Sequence, residues 1–472
     1  MMTSVSRGQD RALWPAVYAG ALGLFLGFSL LKFGNPVILN HLISTPKEWL
    51  YAMGSEAATN PAFTPASEIE AWLELGQPLS FFRGLVLLGG LVVISPLVMV
   101  AFPKVSKWLI GLPLAWFIWQ LLAATQTVGP RLTQVTLAHF TGCLACYFLG
   151  LLVLSQIESL SKFWIGLTVG FVLVLWLGFG QHYGGLEATR RLIYEQPNWQ
   201  ALPPELLKRA TTGRIYATLI YPNALAGVLL LLGPPITVAL RQLTRSWPRI
   251  LGGVLVGLLA YASLACLIWT GSKSGWLIAM ILATVWVLQV PFPKSIKWGL
   301  LAGLLVLGSL GFTLKFAHYF ERGATSVTAR FDYWQAAWKT ALRHPLMGTG
   351  PGTFAVPYAA IKNPNSEMAR LCHNDYLEQA SDSGFPSLLA YGVFLGFVAL
   401  HLYRERQQFS DPLRLAVGLG LLSWTLQGFV EFGLYIPALA WPAWLFLGWL
   451  AASPIPLIPS TRPSDSNKIR AS

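Results

Sequence analysis

The chain has 472 residues, of which 54% are hydrophobic and 11% charged, with 20 Trp and 26 Phe. Soluble domains carry about a quarter charged residues, so this composition excludes a soluble globular protein and fits a chain built into lipid. The formal charge of +13 could suggest nucleic acid; spread over membrane loops it reads instead as basic anchors for anionic headgroups, and no nucleic-acid partner is expected.

A helix needs about 20 mostly apolar residues to cross the hydrocarbon core. On that basis the sequence predicts spans near 13–33, 82–102, 108–126, 133–154, 163–181, 222–241, 251–270, 275–290, 296–315, 385–403, 413–430 and 437–452. The expected fold is all-α, a polytopic bundle of about twelve transmembrane helices with short helices in a long outer loop. The first run follows Arg7 and Arg11, is long enough to span, and shows no clear small-residue cleavage site.

Lys and Arg fall on alternate connections: Lys104 and Lys107, Lys162, Arg241 to Arg249, Lys294 and Lys297, Arg404 to Arg414, and Arg462 to Arg470. Their bias puts both termini in the cytoplasm. The organisation expected is a bundle over 1–315 with outer loops 34–81 and 182–221. A long outer loop over 316–384, further spans over 385–452 and a disordered tail over 453–472 follow.

Cys143 and Cys146 form a Cys-x-x-Cys within an apolar span, where packing is the expected role, because a reactive thiolate needs an electropositive, accessible setting. Arg214 lies eight residues before the span opening at Pro222-Asn223. Between Arg249 and Lys294 the only charged residue is Lys273, within Thr270-Gly271-Ser272-Lys273-Ser274-Gly275. Its ammonium either snorkels to water or joins the backbone N–H groups of a helix start in an anion site.

The loop 316–384 is the longest polar excursion. It carries Arg330, a Gly-rich run from His344 to Gly352, and Cys372-His373-Asn374-Asp375-Tyr376-Leu377-Glu378. The Gly run follows a helical stretch rather than a strand, so a tight turn between loop helices is expected over a phosphate cradle. Three cations and one His on one face suit transfer from a lipid-pyrophosphate donor. The His would take a proton from a hydroxyl and the cations would hold the departing charge. No Asp-x-Asp occurs and no other His stands at ligand spacing from His373, so no metal or cofactor is expected.

Four blocks in order complete the pattern: Arg330-Phe331-Asp332-Tyr333-Trp334, His344-Pro345-Leu346-Met347-Gly348-Thr349-Gly350, His373-Asn374-Asp375-Tyr376-Leu377, and Asp382-Ser383-Gly384-Phe385-Pro386. Together they resemble the signature of the O-antigen ligase superfamily, which includes O-antigen polymerases and protein O-oligosaccharyltransferases. Arg214 with Tyr221-Pro222-Asn223, and Ser272-Lys273-Ser274-Gly275, resemble its upstream segments, although the family usually has Arg at the position of Lys273 and a first Asn at that of Tyr221.

The resemblance implies metal-independent glycosyl transfer from an undecaprenyl-pyrophosphate-linked glycan at the periplasmic face of the bacterial inner membrane. His373 would be the base and Arg214, Lys273 and Arg330 the diphosphate clamp, with Asn223, Asn374, Asp375, Tyr376 and Asp382 in support. The acceptor would be a glycan, lipid A core or a protein hydroxyl. Bicarbonate-type transporters of the same superfamily lack the His-Asn pair, and a structural partner in polysaccharide export would need neither cations nor a His on one face. The enzyme reading is therefore preferred.

Overall fold

The structure is a computed structural model describing residues 3–39, 73, 78–99, 102–103, 105–195, 199, 212–321, 325–364 and 366–452. Most of the loop 34–81, part of the loop 182–221 and the tail 453–472 lie outside the described residues, as does Lys104.

The described residues are helical and connected by loops. In chain order the helices are α1 (Thr3–Lys32), α2 (Phe81–Ile94), α3 (Lys107–Ala124), α4 (Pro130–Phe148), α5 (Ser161–Gly180) and α6 (Leu186–Tyr194). Then come α7 (Pro222–Leu243), α8 (Arg249–Trp269), α9 (Lys273–Gln289), α10 (Lys294–Glu321) and α11 (Thr325–Arg343). The last four are α12 (Ala355–Ile361), α13 (Asp375–Arg404), α14 (Pro412–Gln427) and α15 (Pro437–Ala451). Eight helices among the described residues are long and apolar enough to cross a membrane, and three more apolar ones are shorter. The chain is a multi-pass, all-α membrane bundle.

In lipid, helices gain little by burying apolar surface against one another, so close backbone approach carries the packing. Gly27 of α1 meets Gly170 of α5, where a Cβ on Gly170 would lie 2.3 Å from the Gly27 backbone. The centre of the bundle is α15, every residue of which is buried. A helix apolar all round belongs in such a position, and the loop leading into it, residues 428–436, is thereby held deep at one end of the bundle.

Helix boundaries differ from expectation at one informative place. The span expected from 385 begins at Asp375, because the Asn374 side chain caps the helix, its Oδ1 accepting from the backbone N–H groups of Tyr376 (3.0 Å) and Leu377 (2.9 Å). The helix is broken at Gly384, with φ 78° and ψ 173°, just before the apolar run. A polar first segment, Asp375 to Ser383, is therefore inserted into the protein and precedes the apolar segment of the same element.

Candidate functional site

Asn374 is the N-cap, and its Nδ2 also donates to the carbonyl of Phe429 at 3.0 Å. The preceding residue, His373, takes φ 55°, a left-handed conformation that His adopts more readily than most residues. Its carbonyl accepts from Trp334 Nε1 at 3.3 Å, and its ring lies 4.7 Å, edge to face, from Phe432. Cap, carbonyl and ring contacts together fix where the imidazole points.

The imidazole points at Glu431. Nδ1 of His373 lies 3.2 Å from Glu431 Oε2, and the other carboxylate oxygen accepts from Arg330 Nη2 and, at 2.5 Å, from Asn223 Nδ2. Arg330 further donates through Nε to the carbonyl of Val430 at 3.0 Å. Asn223 passes the chain on, its Oδ1 accepting from Arg214 Nη2 at 2.7 Å, while Arg214 Nε donates to the carbonyl of Thr270. One carboxylate, 7% exposed, thus links the base candidate with two of the three candidate cations.

Burial alone would push the Glu431 carboxyl up. The Arg330 guanidinium, the His373 ring and the Asn223 amide outweigh it and hold the carboxyl down, at about 2. It is ionised near neutral pH, and an ionised acceptor at Nδ1 selects the tautomer with its proton on Nδ1, leaving Nε2 free to accept. Burial lowers the Arg214 guanidinium from its usual range; Glu431 opposes the fall and Arg330 adds to it.

Lys273 opens α9 behind Ser272, whose hydroxyl accepts from Gly275 N–H at 3.1 Å. The helix start is therefore capped by its own Ser. The ammonium of Lys273 lies 3.6 Å from the centre of the Tyr319 ring and 5.3 Å from that of Phe316.

The four candidate residues border two adjoining cavities rather than one. A cavity of about 280 Å³ is lined by His373, Tyr333, Tyr221, Phe432, Met368 and Arg214 among others. The second, about 250 Å³, is lined by Lys273, Arg330 and Arg214 together with apolar Leu277, Phe312 and Phe331. Arg214 borders both. Arg330 and Lys273 share the second cavity, and His373 borders the first.

The remaining expected residues have other partners. Asp375 turns from His373 and its Oδ2 accepts from Leu434 N–H at 3.1 Å, while Tyr376 donates its hydroxyl proton to the Thr425 carbonyl. Asp382 sits inside the Gly-rich turn: Gly352 N–H donates to its Oδ2 at 2.7 Å and Gly350 N–H to its backbone carbonyl at 2.7 Å. The turn's N–H groups thus already hold the side chain and backbone of Asp382. Cys372 is fully buried, and burial, reinforced by Glu378, pushes its thiol well above the usual range, which disfavours a nucleophilic thiolate. Cys143 and Cys146 are buried in the bundle. Among the described residues no group of three or more His, Cys, Asp or Glu could hold a metal ion.

Sequence reasoning passed over Glu431, the residue on which the cluster turns. The signal was present: it is the only charged residue between Arg414 and Arg462. A lone carboxylate between two apolar spans is a candidate functional position.

The polytopic helix bundle thus carries a buried carboxylate that joins a histidine to one arginine directly and to a second through Asn223. Residues 258–392 match the family model described as O-Antigen ligase. The match supports the resemblance to the O-antigen ligase superfamily and a glycosyltransferase-like activity. The matched segment includes Lys273, Arg330, His373 and Asp382 and excludes Arg214 and Glu431. No curated protein matches the chain.

Proposed function

We propose that this protein joins a glycan carried on a polyprenyl diphosphate to an acceptor hydroxyl, at the outer face of the bacterial inner membrane with both termini in the cytoplasm. The observation that carries this reading is the Glu431 carboxylate bonded on one side to His373 and on the other to Arg330 and Asn223. It orients a base while leaving three cations against a single carboxylate, a net positive charge suited to a diphosphate.

The acceptor hydroxyl enters the cavity bordered by His373 and gives its proton to Nε2. Its oxygen bonds to the anomeric carbon as the bond from that carbon to the diphosphate oxygen breaks, and the electron pair leaves with the lipid diphosphate. Arg214, Lys273 and Arg330 stabilise the charge that develops there, and the imidazolium formed is paired with Glu431. The apolar residues Leu277, Phe312 and Phe331 beside Lys273 suit a polyprenyl chain arriving from lipid, since exposing such a chain to water costs about 25 cal/mol per Å². Undecaprenol is the carrier implied by the family resemblance, and no step calls for a metal ion.

Full-length protein in lipid nanodiscs, given undecaprenyl-diphosphate-linked glycan, tests the reading. Three acceptors are offered separately: lipid A core, the lipid-linked repeat unit itself, and a Ser- and Thr-containing pilin-like protein. Transfer to one of them in the presence of EDTA is expected, and the acceptor used separates ligase, polymerase and protein transferase. No transfer to any acceptor, or complete inhibition by EDTA, would remove the mechanism.

A further inference from the structure

Lys273 holds its charge in an unusual way. Among the described residues the contacts of its ammonium are the rings of Tyr319 and Phe316, two aromatic side chains on the last turns of α10. A carboxylate partner would neutralise the ammonium, whereas a π face attracts it without an opposing charge and leaves it open to an incoming anion. The Tyr319 ring is fixed from its other end. Its hydroxyl lies 2.6 Å from the Ser326 hydroxyl and accepts from Val327 N–H at 3.2 Å. Ser326 and Val327 open α11, and one turn on the same helix carries Arg330, whose Nη1 donates to the Ser326 carbonyl.

We infer that Tyr319 is a positioning residue for the donor diphosphate, holding the Lys273 ammonium at a fixed place relative to Arg330 in the cavity the two share. The inference rests on the diphosphate reading given above. A Lys is a compact charge on a flexible stem and lacks the planar fork with which an Arg fixes itself and its anion. A Lys at this position therefore needs a cradle. Tyr319 supplies one with its ring and, through its hydroxyl, ties that cradle to the helix bearing the second cation.

The test uses purified full-length protein in nanodiscs and undecaprenyl diphosphate as the probe, with undecaprenol as the uncharged control. Tyr319→Leu removes the ring, and binding should weaken about 3- to 30-fold, the range of a partly desolvated cation–π contact. Tyr319→Phe keeps the ring and should restore most of the affinity. Lys273→Met should weaken binding itself, and adding Tyr319→Leu to it should cost little more, because the tyrosine acts through the lysine. In turnover, Tyr319→Leu should raise the donor KM and also lower kcat, because Lys273 stabilises charge that develops on the diphosphate as it leaves. A merely structural role would make the two losses additive and would move undecaprenol binding equally. Wild-type affinity in Tyr319→Leu, or additive losses in the double variant, overturns the inference while the diphosphate reading stands. A wild-type protein that does not discriminate undecaprenyl diphosphate from undecaprenol overturns both.

Discussion

Glu431 Oε2 stands 3.2 Å from His373 Nδ1 while the opposite oxygen of the same carboxylate is bonded to Arg330 and Asn223. The base and the two arginines are therefore one bonded unit, and changes at either end should be felt at the other. His373→Ala should lower transfer about 10²–10⁴-fold, the usual loss for a general base. Glu431→Gln keeps the shape but removes the charge that selects the His373 tautomer, and should cost about 10–100-fold. Rates with saturating donor and acceptor decide it. Near-wild-type turnover in Glu431→Gln would mean that His373 needs no orienting partner.

The same carboxylate makes stability pH-dependent. Its folded value of about 2 lies below the ordinary 4.5, so it stabilises the folded state above pH 4.5. That contribution is lost as pH falls from 4.5 through 2, and amounts to about 3 kcal/mol. Thermal unfolding of the detergent-solubilised protein, followed between pH 6 and 2.5, should fall more steeply in wild type than in Glu431→Gln. Parallel curves would show that the carboxylate has no such network around it.

Much of this architecture was legible because apolar runs of spanning length record helices directly, and α7 to α9 lie close to their expected limits. The start of α13 was displaced because a polar cap, Asn374, opens a helix in which hydropathy appears only ten residues later. The cluster itself was half legible. Arg214, Lys273, Arg330 and His373 carry chemistry by residue type, but Glu431 finds Asn223 and Arg330 at separations of 208 and 101 residues, which no local pattern encodes. The division into two cavities likewise depends on how α7, α9, α11 and the loop 428–436 meet.

Lys273→Arg should be tolerated. Arg restores the residue the family pattern expects and stacks on aromatic faces as Lys does, so the Tyr319 ring can receive it. Lys273→Ala removes the charge and should raise the donor KM. Initial rates against donor concentration distinguish the two, and a Lys273→Ala enzyme with an unchanged donor KM would take Lys273 out of the clamp.

The Gly-rich turn is a structural clasp on α13, and its loss should appear as instability. Gly348 has φ 62°, and a Cβ there would lie 2.3 Å from the Asp382 backbone. Gly348→Ala should destabilise by about 2–4 kcal/mol through left-handed strain and overpacking. Gly392, on the same helix with open space around it, provides the control: Gly392→Ala should leave the melting temperature unchanged or slightly raised. A Gly348→Ala protein that melts with wild type would mean that the turn does not need its left-handed residue.

Substrate approach can be separated by narrowing each cavity in turn. Met368 borders the His373 cavity, and Leu277 borders the one with Lys273 and Arg330. Both side chains are partly or well exposed, so a larger residue can be accommodated without repacking a core. Tryptophan at either place adds bulk that narrows a cavity of about 250–280 Å³ without filling it. Met368→Trp should raise the acceptor KM and spare undecaprenyl diphosphate binding. Leu277→Trp should weaken that binding and spare the acceptor KM, because removing uniform binding of one substrate moves its KM alone. The measurement is a two-substrate rate matrix for each variant, with diphosphate binding read separately. If each tryptophan shifted both constants together, donor and acceptor would share one cavity and Arg214, which borders both, would not separate them.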